Sequence, residues 1–557
     1  MEKSDFVIIG GVAAGPKTAA VLARRKPNAK ITLFQMEERI SYATCGMPYF
    51  ASGDIDSFDM LTETSYNVNR DPEFFKSTKG FDVVISSEVI KIDRDNRTVK
   101  VLDLKTGQTF DHGYGKLVIA TGAKPNNPPF EVAESPNIRH FTKPEDAIAF
   151  RKSAQTGQVG KAVVVGAGFI GCELAESCAG LWGIETTLIE KENQVLPYAL
   201  DPEMAAIAER EMKRNDVKVM TGVAVEKIKL NDDGNPVVMI RGSESIEADF
   251  VFLCVGVTPR SELARGAGLE IGEQGGIRVN DHMQTSDPNI YAGGDCVQSH
   301  NMITGGPMYL PMGSIANRHG RVIGENLAGY DAVFQGVVGS FLVKIFDLNV
   351  GSTGLSQRLC EKLGLKSETV WGSFPDKPDY YPEYQTMTLK MVYSPNNGKL
   401  LGLQAAGKGD IFRRVDVFAA YLMHGERLGD LLDFEQGYAP PYSEAIDPLH
   451  HLACLAIAQG RGLHLLPPVA PSEEDAQYID VREPAETREE PFFSENGLSV
   501  RNIPLGELRA RLGELDRNRK VIIICRRGPR SYQAGLILKQ AGFEHVEVMC
   551  GGTQALR

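Results

Sequence analysis

Two cysteines in this chain stand in settings that could make sulfur reactive. Cys45 lies in Ser41-Tyr-Ala-Thr-Cys-Gly-Met-Pro-Tyr49, after a strand-helix-strand pattern and before a short segment with Pro48 near its start. Proline is favoured in a first helical turn, so the sulfur is expected at a helix N-terminus. Backbone N–H groups and the helix dipole there favour thiolate, the nucleophilic form. A buried, inert thiol is the competing reading, because free cysteines are most often used that way. Cys525 closes the apolar run Val521-Ile-Ile-Ile524 and opens the loop Arg526-Arg-Gly-Pro-Arg530. Loop amides could cradle a sulfur anion there, with Arg526, Arg527 and Arg530 adding positive charge, although Pro529 removes one amide donor.

The remaining cysteines read as structural. Cys254 falls in a strand, Cys172 and Cys178 share a helix, and Cys296, Cys360, Cys454 and Cys550 sit in no comparable constellation. Nine cysteines without a C-x-x-C pair point to a reducing compartment and individually used thiols rather than disulfide staples or zinc. His450 and His451 are neighbours on a helical pattern and face different directions, so no metal site is expected.

The elements that would position these sulfurs are nucleotide-binding ones. Residues 6–34 read as strand, Gly-rich turn, helix and strand: Phe6-Val-Ile-Ile-Gly10, then Gly11-Val12-Ala13-Ala14-Gly15 opening a helix. Gly10 permits the tight turn, Gly15 permits close helix-strand packing, and the helix N-terminus accepts pyrophosphate. Val12 occupies the place of the middle glycine, and Gln35 stands where an acidic residue usually holds ribose hydroxyls. A second, complete copy has Gly166, Gly168, Ile170 and Gly171, with Glu190 ending its second strand. That carboxylate suits the two free hydroxyls of NADH better than the phosphate of NADPH. Lys191 beside it leaves NADPH open as an alternative.

Two apolar runs, Leu117 to Pro125 with Thr121 and Gly122 and Val251 to Pro259 with Gly256, each end in a Gly turn and would lead the chain between nucleotide domains. In Tyr291-Ala-Gly-Gly294-Asp295 the carboxylate could reach a polyol hydroxyl, with a following helix end facing phosphate.

At 557 residues the chain is too long for one core, and roughly three or four domains are expected. A formal charge of -12 supplies no broad basic surface, which argues against nucleic acid or an anionic membrane as partner. No signal peptide precedes the first strand and no apolar run approaches about 18 residues, so a soluble, cytoplasmic protein is expected.

Together the two Gly-rich turns, the Ala-Thr-Gly strand and the Tyr-Ala-Gly-Gly-Asp motif resemble the FAD-dependent pyridine nucleotide-disulfide oxidoreductases over roughly residues 4–455. The resemblance implies FAD on the first turn and NADH on the second. Phe50 stands where two-cysteine members carry their second cysteine, so no internal disulfide forms at Cys45. The single cysteine and Ala439-Pro-Pro-Tyr-Ser443 resemble the coenzyme A-disulfide reductases and their NADH-dependent persulfide reductase relatives. This implies a homodimer in which partner tyrosines, at the positions of Tyr381 and Tyr442, approach the cysteine. It also implies coenzyme A as a ligand, with Arg24 at the matching phosphate contact and Ser41 and Thr44 beside the substrate; Thr44 replaces the family's asparagine. From about residue 475 the chain resembles a single rhodanese domain, with residues 494–498 in place of the usual Gly-His-Ile-Pro-Gly-Ala segment.

The expected fold class is α/β: two Rossmann-like dinucleotide-binding domains, FAD (1–115 and 260–332) and NAD (116–259), an α+β dimerisation domain (335–455), a linker (456–474) and an α/β rhodanese domain (475–557). The leading expectation is an NADH-dependent reductase of persulfide or polysulfide that releases hydrosulfide through Cys45, with Cys525 relaying sulfur. A coenzyme A-disulfide reductase and a thiol sensor or sulfur carrier with negligible turnover are the alternatives.

Overall fold

The computed structural model describes residues 2–468, 473, 475–492 and 499–556, which fall into two compact units, 1–191 with 222–337 and 192–221 with 338–557. The segment 494–498, and 469–472 with 474 of the expected linker, lie outside the described residues.

In the first unit, strand Glu2–Ile9 leads through the first Gly turn into helix Ala14–Arg25 and strand Ile31–Phe34. Val7 and Ile8 are both fully buried, as a parallel strand covered on both faces requires. Glu2–Ile9 pairs in parallel with Ile31–Phe34 and with Thr109–Ile119, so that Ile9 lies opposite both Phe34 and Ile119. Strand Ile290–Ala292 also pairs in parallel with Thr109–Ile119, with Ala292 opposite Ile119. Three chain segments therefore leave the sheet at one level, carrying Gly10, Thr121 and Asp295 to the carboxyl edge where such sheets bind ligands.

The second turn repeats the design. Strand Lys161–Val165 enters helix Phe169–Ala179 and then strand Glu185–Ile189, with Val165 opposite both Ile189 and Leu253. The two connecting runs pair with each other, Ala123–Pro125 antiparallel to Val257–Pro259.

Two expectations are corrected here. Thr109–Ile119 crosses the expected 115/116 boundary, because the strand must run on to come level with Ile9. The element after Asp295 is a strand, Val297–His300, and the next long helix begins only at Gly313.

The second unit holds a five-stranded antiparallel sheet ordered Phe341–Ile345, Leu348–Gly354, Leu400–Gly407, Thr386–Tyr393 and Glu368–Pro375. It also holds a five-stranded parallel sheet ordered His464–Leu466, Val546–Met549, Val521–Ile524, Gln477–Asp480 and Val500–Asn502.

The linker expectation is partly overturned. Helix Pro448–Gly460 runs through the 455/456 boundary, and His464–Leu466 is an edge strand of the rhodanese-type sheet, held because Leu465 lies opposite Val548. Helix Pro202–Arg214, expected with the NAD domain, belongs to this unit too. Asp201 at its N-terminus forms a buried ion pair with Lys390 at 2.9 Å and accepts hydrogen bonds from Gln404 and the Gln357 and Arg358 amides.

Candidate active site

The two Gly turns share one geometry. A Cβ on Gly10 would stand 2.1 Å from the Ala120 carbonyl oxygen, and one on Gly166 would stand 2.3 Å from that of Cys254. Both glycines have positive φ, 108° and 103°, so only glycine meets the space and the backbone conformation. In the first turn Gly11 N–H donates to Gln35 Oε1 at 2.8 Å; in the second Ala167 N–H donates to Glu190 Oε2 at 2.8 Å. Gln35 thus fills the structural half of the acidic residue's role without its charge.

Val12, Ala13 and Ala14 lead into the first helix, and Gly168 caps the second, where Ile170 is exposed. Gly294 has φ 83° and packs on Ala14, bringing Asp295 to the first turn. Burial pushes the Asp295 carboxyl up to about 6. Near it the Tyr309 hydroxyl is buried without a hydrogen-bond partner. The cradle at Gly10, the Asp295 carboxylate and this orphaned hydroxyl fit a dinucleotide bearing a polyol chain. Tyr309 carried no sequence signal. Thr121 donates its hydroxyl to the Arg260 carbonyl at 2.7 Å, Arg260 N–H donates to the Gly122 carbonyl, and Gly256 accepts from Asn126 N–H, so these residues brace the crossover between nucleotide halves.

Cys45 sits in a 3-10 turn, Thr44–Gly46, that runs into the helix Met47–Ser52 with Pro48 in its first turn. Ser41 N–H donates to the Gly11 carbonyl at 2.7 Å, tying this loop to the first Gly turn, with Ser41 held at φ 54°. Side chains from the second nucleotide half bond the helix's carbonyls: Ser177 to Pro48 at 3.1 Å, Arg151 to Phe50 at 2.9 Å and Trp182 to Ala51 at 2.7 Å. The 16-residue helix Gly313–Ala328 begins beside the sulfur, since a Cβ on Gly313 would stand 4.0 Å from Cys45 Sγ.

The expected thiolate bias is outweighed in the protein alone. Cys45 is exposed on one side, yet partial burial raises its thiol above the ordinary value, and the Glu173 and Asp295 carboxylates add to the rise. The Thr44 hydroxyl and the residue's own backbone amide oppose it. Glu173 is itself pushed up to about 7 by burial and by Glu176, against a hydrogen bond from Tyr49. Sequence reading missed Glu173, whose helix starts more than a hundred residues away along the chain. Arg24 is exposed in the last turn of the first helix, far along it from the Gly turn.

Cys525 is 1% exposed, and Gly528 N–H donates to its Sγ at 3.0 Å. Pro529 is the first residue of helix Pro529–Gln540, so no intrahelical hydrogen bond is lost, but the helix N-terminus offers one amide fewer to a sulfur anion, as expected. The expected positive charge is largely engaged. Arg530 pairs with Glu486, 2.8 Å from Nη2 to Oε1, holding that carboxyl down to about 2, and Arg527 pairs with Asp379 at 3.0 Å. Arg526 is exposed. Beside the Cys525 strand, Arg482 is buried against Asp480 at 2.7 Å and leaves Nη1 without an acceptor.

Asp379 is followed by Tyr380 and Tyr381. Tyr381 is half-buried, its ring 5.8 Å from the Lys377 ammonium, whereas Tyr380 is 73% exposed and hydrogen-bonds Tyr438. Tyr442 is 71% exposed. Tyr380 and Tyr442 are thus the more exposed tyrosines, with Tyr381 half-buried next to Tyr380.

The pyridine nucleotide-disulphide oxidoreductase model matches residues 4–314, the dimerisation domain of that family residues 341–450, and a rhodanese-like domain residues 470–557. An NAD(P)H sulfur oxidoreductase (CoA-dependent) of Pyrococcus abyssi is 33% identical over 453 residues, 81% of this chain and 98% of the relative. The structure of an NAD-dependent persulfide reductase from A. fulgidus superposes with a TM-score of 0.94 at 38% identity, covering 99% of this chain and 100% of that one. Reduced Bacillus anthracis CoADR-RHD superposes with a TM-score of 0.90 at 32% identity, covering 100% of this chain and 98% of that one. With two matching Gly turns, Cys45 tied to the first of them with no second cysteine at position 50, and a second sulfur loop in its own sheet, the chain belongs to the FAD-dependent pyridine nucleotide-disulphide oxidoreductases, extended by a C-terminal rhodanese domain.

Proposed function

We propose that this protein is an NADH-dependent reductase of sulfane sulfur, acting on small persulfides or polysulfides and releasing hydrosulfide. One observation carries the reading: Cys45 lies at the nucleotide cleft with Phe50 where a second cysteine would stand, while a built sulfur loop at Cys525 accompanies it. A lone thiol at that place must take its sulfur partner from a substrate. Gly10, Val12, Ala13, Ala14, Gly15, Thr121, Gly122, Gly294 and Asp295 would hold FAD, and Gly166, Gly168, Ile170, Gly171, Glu190 and Gly256 would hold NADH. Bound FAD supplies a two-electron carrier between nicotinamide and sulfur.

Cys45 attacks the sulfane sulfur of R–S–SH, forming Cys45–S–SH and expelling a thiolate. Thr44 steadies the attacking sulfur. Glu173, holding a proton near neutral pH, provides it to the departing hydrosulfide. In a homodimer Tyr442, with Tyr381 or its exposed neighbour Tyr380, would orient the substrate over the partner's cysteine. Cys525 takes sulfane sulfur from a donor and passes it on, with Arg526 at the loop's exposed edge and Arg530 oriented by Glu486.

A second reading, reduction of coenzyme A disulfide, draws support from the full-length likeness to CoADR-RHD and from the exposed Arg24, whose guanidinium is free to solvent where the resemblance puts a phosphate contact. The deciding experiment is anaerobic NADH oxidation by the FAD-loaded protein with persulfide, polysulfide and coenzyme A disulfide side by side, following hydrosulfide. Fast turnover with the sulfane donors, lost in Cys45→Ser, is expected. Preference for coenzyme A disulfide, unchanged in Cys525→Ser, would replace the leading reading with the second. Flavin reduction without turnover on any of them would leave a sensor.

A further inference from the structure

Sequence placed Cys550 in no constellation, but the rhodanese sheet sets it beside Cys525. Strands Val521–Ile524 and Val546–Met549 are parallel neighbours with a constant register, Val521 opposite Val546 and Ile523 opposite Val548. Two residues further along the same register come Cys525 and Cys550, each just past its strand. The chains stay together there: Thr553 N–H donates to the Cys525 carbonyl at 2.9 Å, and a Cβ on Gly552 would stand 2.5 Å from that oxygen.

Cys525 packs in the cluster of Ile523 and Val548, while the Cys550 thiol lies against the Trp371 backbone and close enough to Cys525 to respond to its charge. Neighbouring strands lie about 4.8 Å apart, within the Cα separations of about 4.4 to 6.8 Å that a disulfide spans. Both residues are buried, Cys525 at 1% and Cys550 at 2% exposure.

We infer that Cys550 is a resolving thiol for Cys525, able to discharge a Cys525 persulfide within the rhodanese domain as hydrosulfide and leave a Cys525–Cys550 disulfide. The inference rests on the reading of Cys525 as a sulfane-sulfur acceptor. In the step, the Cys550 sulfur attacks Cys525 Sγ and the bond from Sγ to the terminal sulfur breaks. That terminal sulfur leaves with the electron pair and takes the Cys550 proton. Thus Cys525–S–S⁻ and Cys550–SH give Cys525–S–S–Cys550 and HS⁻, with the sulfane sulfur reduced, the two thiols oxidised and no outside oxidant.

Burial, with a smaller contribution from the Cys525 charge, pushes the Cys550 thiol up to about 12. Cys550 is therefore inert to passing electrophiles and keeps its proton until a leaving sulfur can accept it. Two equivalents of a small thiol would reopen the bridge. The domain would in this way release hydrosulfide without nicotinamide and shut itself off when sulfane sulfur outruns reduction at Cys45.

The test uses the full-length, FAD-loaded protein without NADH, treated with inorganic polysulfide, alkylated with iodoacetamide and digested with trypsin. In wild type the peptide Val521–Arg526 is expected joined to the peptide bearing Cys550, separable by dithiothreitol, with one hydrosulfide released per bridge. In Cys550→Ser the same Cys525 peptide should instead carry an alkylated persulfide, and the hydrosulfide burst should vanish. Cys550→Ala serves as a second variant, and unchanged flavin reduction by NADH in both shows an intact fold. A wild-type protein that keeps an alkylatable Cys525 persulfide and never yields the joined peptide overturns the inference while leaving Cys525 as acceptor. Absence of sulfur on Cys525 in both wild type and variants overturns the acceptor reading and the inference together.

Discussion

Cys45 shows how neighbours set the reactivity of one sulfur. Burial and the Glu173 and Asp295 carboxylates disfavour its thiolate, while the Thr44 hydroxyl and a backbone amide favour it. Glu173, at about 7, is ionised through the alkaline range in which the thiol titrates, so its charge is present when it matters. Glu173→Gln should therefore move the midpoint of Cys45 alkylation by iodoacetamide to lower pH; a midpoint that stays put would show the carboxylate without influence. Cys45→Ser should lower sulfane-dependent NADH oxidation by roughly 10³-fold or more in stopped-flow assays, while flavin reduction by NADH persists. Cys45 and the turn glycines could be read from sequence because their signal is local. Glu173 and Tyr309 could not, because each matters only through what the fold brings near it.

At the scale of elements, the six-residue helix after Cys45 is too short to hold itself, since isolated helices of this length are unstable in water. Its carbonyls are instead bonded by Ser177, Arg151 and Trp182. Trp182→Phe removes one of these bonds and should weaken amide-exchange protection over residues 47–53 by about 1 kcal/mol, measured by hydrogen-deuterium exchange. Helix Pro202–Arg214 is anchored differently, through the Asp201–Lys390 pair with both side chains almost wholly buried. Lys390→Met strands the Asp201 charge and should cost about 3 kcal/mol, read from the urea midpoint of unfolding. That pair also ties residues 192–221, expected within the NAD domain, to the second unit. A Lys and an Asp almost two hundred positions apart give no sequence sign that they will meet.

For the molecule as a whole, the dimerisation-domain match and the exposed Tyr380, Tyr438 and Tyr442 argue for function as a pair of chains. If each cysteine works with the partner's tyrosines, Cys45→Ser chains co-expressed with Tyr380→Phe/Tyr442→Phe chains should form mixed dimers with one intact site. Random pairing then restores about a quarter of wild-type turnover, although either variant alone is nearly inactive. Purified mixtures that show no recovery would place cysteine and tyrosines in separate roles. Among the described residues no helix is long and apolar enough to cross a membrane.

Sequence alone pointed to the two Gly turns, to Cys45 with no second cysteine at position 50, to the Cys525 loop and to the order of domains. These rest on short stretches whose backbone demands, such as positive φ at Gly10 and Gly166, only certain residues meet. Tertiary structure decided the rest: the ionisation balance at Cys45, the engagement of Arg527 and Arg530 by carboxylates, the differing exposure of Tyr380 and Tyr381, and the neighbouring ends of the Cys525 and Cys550 strands. Each of these depends on strand register, burial or a charge distant in the chain, and such quantities exist only once the sheets have paired.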